Sequence, residues 1–129
     1  MLGEQTSDPP QDVLEAVSSA SELLRVIEEA KAVYVEESVH RYVVALLRHT
    51  RADARLYLGA SPRAGIALLR VAKARALADG RSFVSPDDVK AAAEPVLAHR
   101  LILAPEARSA GLGPEDLVRE AMDKTPVPV

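Results

Sequence analysis

The sequence predicts an all-α protein, a small helical bundle with four main helices and a short C-terminal helix. Three observations point there. The apolar residues, 48% of the chain, are mostly Ala, Leu and Val, while aromatics are only 3%, and Ala and Leu are strong helix formers. Apolar positions recur at helical spacing through most of the chain. Two helix starts are spelled in the same way, Ser61-Pro62 and Ser85-Pro86, with a capping residue followed by the one position where proline suits a helix.

The first helix is expected over about residues 21–33, where Leu23, Val26, Ile27 and Ala30 share one face. The second spans about 36–51, with Val39, Tyr42, Val43, Leu46 and Leu47 on its stripe. Glu36 and Glu37 open it and Arg48 and Arg51 close it, matching the helix dipole at both ends. The third runs from Pro62 to about Asp79 and stops at Gly80; its interior is almost entirely small or apolar, which predicts a central helix packed on several sides. The fourth runs from Pro86 to Leu97 with Val89, Ala92, Ala93, Val96 and Leu97 inward, and Pro95 threatens its last turn. Residues 99–103 read as extended, and a last helix spans about 114–124. No strand pattern repeats. Residues 1–19 are expected to be a connector from an upstream domain, with Asp8-Pro9-Pro10 breaking any helix, residues 20–125 the folded domain, and 126–129 a loose tail.

The 129 residues suffice for one core. There is no cysteine, hence no disulfide frame or thiolate metal site. No apolar run approaches a membrane span and the N-terminus is not a secretory signal, so a cytoplasmic protein is expected. The net charge of −3 conceals an asymmetry: residues 1–40 carry nine acids and two bases, 41–81 nine bases and two acids, and 82–129 eight acids and five bases. Either neighbouring helices neutralise one another, or the basic middle faces an anion or an acidic partner.

Most catalytic chemistry lacks its parts. There is no phosphate-binding loop of the G-x-x-x-x-G-K-[ST] kind; Gly59 to Gly65 imitates its glycines at the wrong spacing and without the lysine. His40, His49 and His99 form no metal-binding pair, so no metal site is assigned. Ser61 and Ser85 already have capping roles. Adjacent carboxylates such as Glu28-Glu29, Glu36-Glu37 and Asp87-Asp88 point in different directions on a helix.

Arg63 stands apart. It occupies the first turn of the third helix, where unpaired N–H groups carry partial positive charge and an arginine is disfavoured. The other Ser-Pro start places Asp87 and Asp88 there. An arginine at that point makes sense if a phosphate arrives, because a helix N-terminus and a guanidinium together form an anion site. The alternative is a solvated arginine with no role.

The segment Leu58-Gly59-Ala60-Ser61-Pro62-Arg63-Ala64 resembles the sensor-2 motif of MoxR-type AAA+ ATPases. Ala78 to Lys90, with Asp79-Gly80-Arg81 and Ser85-Pro86-Asp87-Asp88-Val89, resembles the family's next turn and helix start, and Val96 to Leu101 its closing segment. The resemblance covers about residues 20–125 and implies the C-terminal helical lid of such an ATPase. It further implies that Arg63 senses the terminal phosphate, in its own or a neighbouring subunit, with Gly59, Ser61 and Pro62 shaping the helix start. ATP and Mg would belong to the full-length parent, a hexameric ring with chaperone-like remodelling activity, and neither would bind this fragment tightly. Arg81, a charge of the same sign as Arg63 in the loop after the third helix, is the control: its replacement by alanine is expected to leave turnover near wild type. The implied partners are the parent's own α/β core, neighbouring subunits and a von Willebrand factor type A domain protein. A lid without that core is not expected to be an enzyme. The rival reading is a stand-alone helical module that binds protein or nucleic acid through the basic middle; the acidic net charge and scarce aromatics argue against nucleic acid.

Overall fold

A computed structural model describes residues 10–129; the Asp8-Pro9 part of the helix-breaking segment lies outside them. Pro10–Val13 forms one 3₁₀ turn, and residues 14–19 have no regular structure. Six helices and two short strands follow: α1 Ala20–Lys31, α2 Glu37–Ala52, β1 Leu56–Leu58, α3 Pro62–Ala78, α4 Pro86–Leu97, β2 Ile102–Leu103, α5 Pro105–Ser109 and α6 Pro114–Lys124.

The helix starts form as their sequences dictate. The Ser85 hydroxyl accepts the Asp88 N–H while the Asp88 carboxylate accepts the Ser85 N–H, a complete capping box. Ser61 accepts the Ala64 N–H at 3.3 Å. Gly80 stops α3 in the left-handed region at φ 75°, where it carries no Cβ penalty. The returning Arg81 N–H then reaches the Ala76 carbonyl at 2.9 Å. α4 continues two residues past Pro95 before relaxing into the 3₁₀ turn Ala98–Arg100, so the proline does not end the helix where it stands.

α3 is the centre of the bundle, packed against α1, α2 and α4, while α6 closes the other side against α2 and α4. The expected stripes of α2 and α4 are buried in full, and Leu46, Leu68, Leu97, Leu117, Val43, Val89 and Val118 are the largest wholly enclosed apolar side chains. Gly65 lets α3 approach α2 closely: a Cβ there would lie 2.7 Å from Leu47 Cδ1.

Three features depart from the sequence expectations. β1 and β2 pair antiparallel, Leu56 with Leu103 and Leu58 with Ile102, with an irregularity between them. α5, a single turn, adds Ala107 to a small second cluster with Leu103 and Leu117. α1 forms as expected, but its apolar stripe is not enclosed: Leu23, Val26 and Ile27 are all exposed. Periodicity reports amphipathicity and leaves open what covers the apolar face. The C-terminal end of α1 is anchored, because Lys73 donates to the Lys31 carbonyl and the Tyr34 backbone pairs with that of Ser82 and Val84. Among the described residues no helix is long and apolar enough to cross a membrane.

Candidate functional site

The last turn of α2 and the first turn of α3 meet through the loop that follows β1. Thr50 is buried on α2; its hydroxyl donates to the Leu47 carbonyl at 2.8 Å and accepts the Ala60 N–H at 3.0 Å. At Gly59 the chain lies directly against the α2 backbone. A Cβ there would sit 2.7 Å from Arg51 Cα and 2.8 Å from the Thr50 carbonyl oxygen. Gly59 is thus required by close approach. The loop is held before Ser61 caps the helix and Pro62 takes its first position.

Arg63 then projects from a fixed frame. It is exposed, and among the described residues it enters no ion pair. No acidic residue stands in the first turn of α3, so the partial positive charge of that helix end is uncompensated and adjoins the guanidinium. The structure therefore brings Gly59, Ser61, Pro62 and Arg63 together as one helix start. It also adds two residues that the sequence reading passed over, Thr50 and Arg51. Thr50 falls on the α2 stripe with Val43, Leu46 and Leu47, a position where a hydroxyl needs a partner, and that was the available signal.

The second Ser-Pro start is closed by contrast. Both guanidinium nitrogens of Arg81 donate to Asp88 at 2.7 Å, and Arg81 also pairs with Asp79 at 3.1 Å. Asp88 is 4% exposed. The Arg81 hydrogen bonds hold its carboxyl well below the usual range, at about 2, against the opposing effect of burial. Arg81 thus neutralises a buried carboxylate that also caps α4.

The basic middle is only partly balanced within the chain. Arg55 bridges Asp53 and Glu120, and Arg81 is paired as above. Arg41 meets Glu37 only at 3.9 Å, with both side chains largely in solvent. Arg48, Arg51, Arg63, Arg70 and Arg75 have no ion pair among the described residues. No group of three or more His, Cys, Asp or Glu side chains there could hold a metal ion.

Residues 48–121 match the AAA lid domain family. The whole chain aligns at 36% identity with the uncharacterized protein YeaC of Bacillus subtilis, spanning 40% of its length. It is 32% identical to the Chaperone MoxR1 of Mycobacterium tuberculosis, over 93% of this chain and 34% of that protein. It is 37% identical to the Protein MoxR of Methylorubrum extorquens, over 75% of this chain and 32% of that one. A crystal structure of a candidate ATPase from Cytophaga hutchinsonii superposes with a TM-score of 0.79 at 32% identity, covering 84% of this chain and 36% of that chain. The chain thus spans 32% to 40% of the length of these relatives.

Proposed function

This chain belongs to the AAA lid domain family, of the MoxR type, and on that premise we propose that it closes over the ATP site of a parent AAA+ ATPase, with Arg63 reading the terminal phosphate. The observation that supports the reading is the unpaired, exposed Arg63 on a helix start whose own geometry is fixed from behind by Thr50 and Gly59. A guanidinium at a helix N-terminus that carries no acidic side chain in its first turn suits the γ-phosphate of a nucleotide: it offers directed donors and positive charge in one place.

The residues present fit the phosphate end of a nucleotide and nothing more of it. The chain has no phosphate-loop lysine, and Asp88, the carboxylate nearest a comparable helix start, is consumed by Arg81. Mg and the remaining phosphate contacts would come from the parent's α/β core, supplying charge neutralisation of the β- and γ-phosphates. This chain's part is to bind and orient one phosphate, to cover the site, and to move as a rigid body when that phosphate is lost. The rigid-body role fits a bundle whose central helix α3 carries Arg63 at one end and packs along its length on α1, α2 and α4. In the ring, the swing would reach the neighbouring subunit and drive chaperone-like remodelling of a client, with a von Willebrand factor type A domain protein as a partner. Residues 1–19 would connect core to lid and 20–125 would be the lid itself.

The reading is tested by nucleotide affinities of the ATPase polypeptide that carries this lid. Arg63→Ala should weaken binding of a non-hydrolysable ATP analogue while leaving ADP affinity nearly unchanged. Equal effects on both nucleotides would remove the phosphate-sensing role.

A further inference from the structure

The outer side of α2 is a second unsatisfied surface, and the phosphate-sensing role does not use it. A shallow groove of about 550 Å³ runs along it. Two ridges of residues four apart line this groove, His40–Val44–Arg48 and Arg41–Ala45–His49. Each has the same order, an apolar residue between two nitrogen-bearing side chains. Val44 is 46% exposed although it lies in the middle of a helix. Glu37 is the only acid among the groove-lining residues, and its contact with Arg41 is long and solvent-exposed, so it competes weakly for that arginine. Among the described residues Arg48, His40 and His49 enter no ion pair.

We propose that this groove docks an acidic amphipathic helix of a partner protein, whose apolar residues meet Val44 and Ala45 and whose flanking carboxylates meet Arg41, Arg48 and the two histidines. Ridges four residues apart are the rows that a second helix interdigitates with, and helix-in-groove recognition is read as apolar anchors at helical spacing. The charge pattern selects the occupant. Carboxylates spaced four apart around one apolar residue complement both ridges at once, and nothing on this face could repel them except Glu37. A nucleic acid is a poorer match: the face offers no Phe, Tyr or Trp ring for stacking, its floor is apolar, and the chain as a whole is acidic at −3. The α2 surface ends at the turn carrying Thr50 and Arg51, so an occupant would lie beside the loop that positions Arg63.

The test uses the full 129-residue chain and a fluorescein-labelled helical peptide with Glu, Leu and Glu at successive i, i+4 and i+8 positions, followed by fluorescence anisotropy at low salt. Saturable binding is expected, weakening as salt is raised. The double variant Arg41→Glu/Arg48→Glu should weaken it by about tenfold or more, as reversal of complementary charge does at other interfaces. Val44→Ser should weaken it severalfold without altering the circular dichroism spectrum, because the side chain is largely exposed. A control peptide with Lys in place of Glu should not bind. No saturable binding of the acidic peptide would overturn the proposal, as would equal affinity for the charge-reversed chain or tighter binding of a labelled DNA duplex.

Discussion

The Thr50 hydroxyl accepts the Ala60 N–H at 3.0 Å across the junction between α2 and α3, one residue before the capping Ser61. The bond is buried, so breaking it strands a donor that water cannot reach. Thr50→Val keeps the shape of the side chain and removes the acceptor. It should cost about 1–3 kcal/mol of folding stability, and Thr50→Ser should cost less. Urea denaturation of the isolated chain measures both; a valine variant as stable as wild type would mean that the junction is not held by this bond.

Gly59 and Gly65 separate two kinds of close packing. At Gly59 an added Cβ meets the backbone of Arg51 and Thr50, which cannot step aside without moving α2. At Gly65 it meets the end of the Leu47 side chain, which can rotate, and alanine gains up to about 1 kcal/mol of helix propensity. Gly59→Ala should therefore destabilise by about 1–3 kcal/mol, while Gly65→Ala stays near neutral. Thermal melts of the two variants give the comparison, and the reverse order would contradict the packing described.

The Arg81–Asp88 pair predicts an acid limb. The Arg81 hydrogen bonds hold Asp88 at about 2 in the folded chain, below the ordinary aspartate value of 3.8. A depressed folded value means that the stabilisation is complete above about pH 4 and is lost as pH falls toward 2. The linkage is worth about 2 kcal/mol for a shift of this size. Asp88→Asn should be less stable at pH 7 and should lose less between pH 4 and pH 2. Arg81→Ala should be clearly less stable than wild type at pH 7, because it leaves a buried carboxylate without its cation. Denaturation midpoints collected between pH 2 and pH 7 check the set; parallel curves for wild type and Asp88→Asn would refute it.

The isolated chain should neither bind nor hydrolyse ATP tightly, since one arginine and one helix end cannot replace a phosphate loop and magnesium ligands. Isothermal titration with Mg-ATP is the measurement. A dissociation constant near or below about 1 µM, typical of complete sites, would contradict the division of labour proposed between lid and core.

Much of the bundle was legible because local signals agreed with one another. In α2 the charges at both ends, and in α4 the acids of the first turn, agree with the apolar stripe, and the stripes are buried as spaced. The strands were not legible: Leu56–Leu58 and Ile102–Leu103 are too short for alternation to show, and each exists only through a partner more than forty residues away. α1 shows the limit of periodicity, since its stripe has helical spacing yet stays exposed. The anomaly of Arg63 was readable from the helix dipole alone. The fixing of its loop by Thr50 and Gly59 was not, because that depends on where α2 and α3 cross. The pairing of Arg81 was not legible for the same reason: its partner Asp88 lies seven residues on, past a turn.

The central claim is that Arg63 acts on phosphate, and steady-state ATP turnover of the ATPase that carries this lid tests it most directly. Arg75 provides the comparison: like Arg63 it is exposed and, among the described residues, without an ion pair, but it stands in the last turn of the same helix. Arg63→Ala should lower turnover by roughly 10²-fold, the size typical of removing one preorganised charge stabiliser. Arg63→Lys should restore little of it, since an ammonium lacks the planar fork. Arg75→Ala should turn over ATP near the wild-type rate, with all three variants folded by circular dichroism. If Arg63→Ala and Arg75→Ala hydrolyse ATP equally well, Arg63 is a solvated surface charge and the phosphate-sensing account fails.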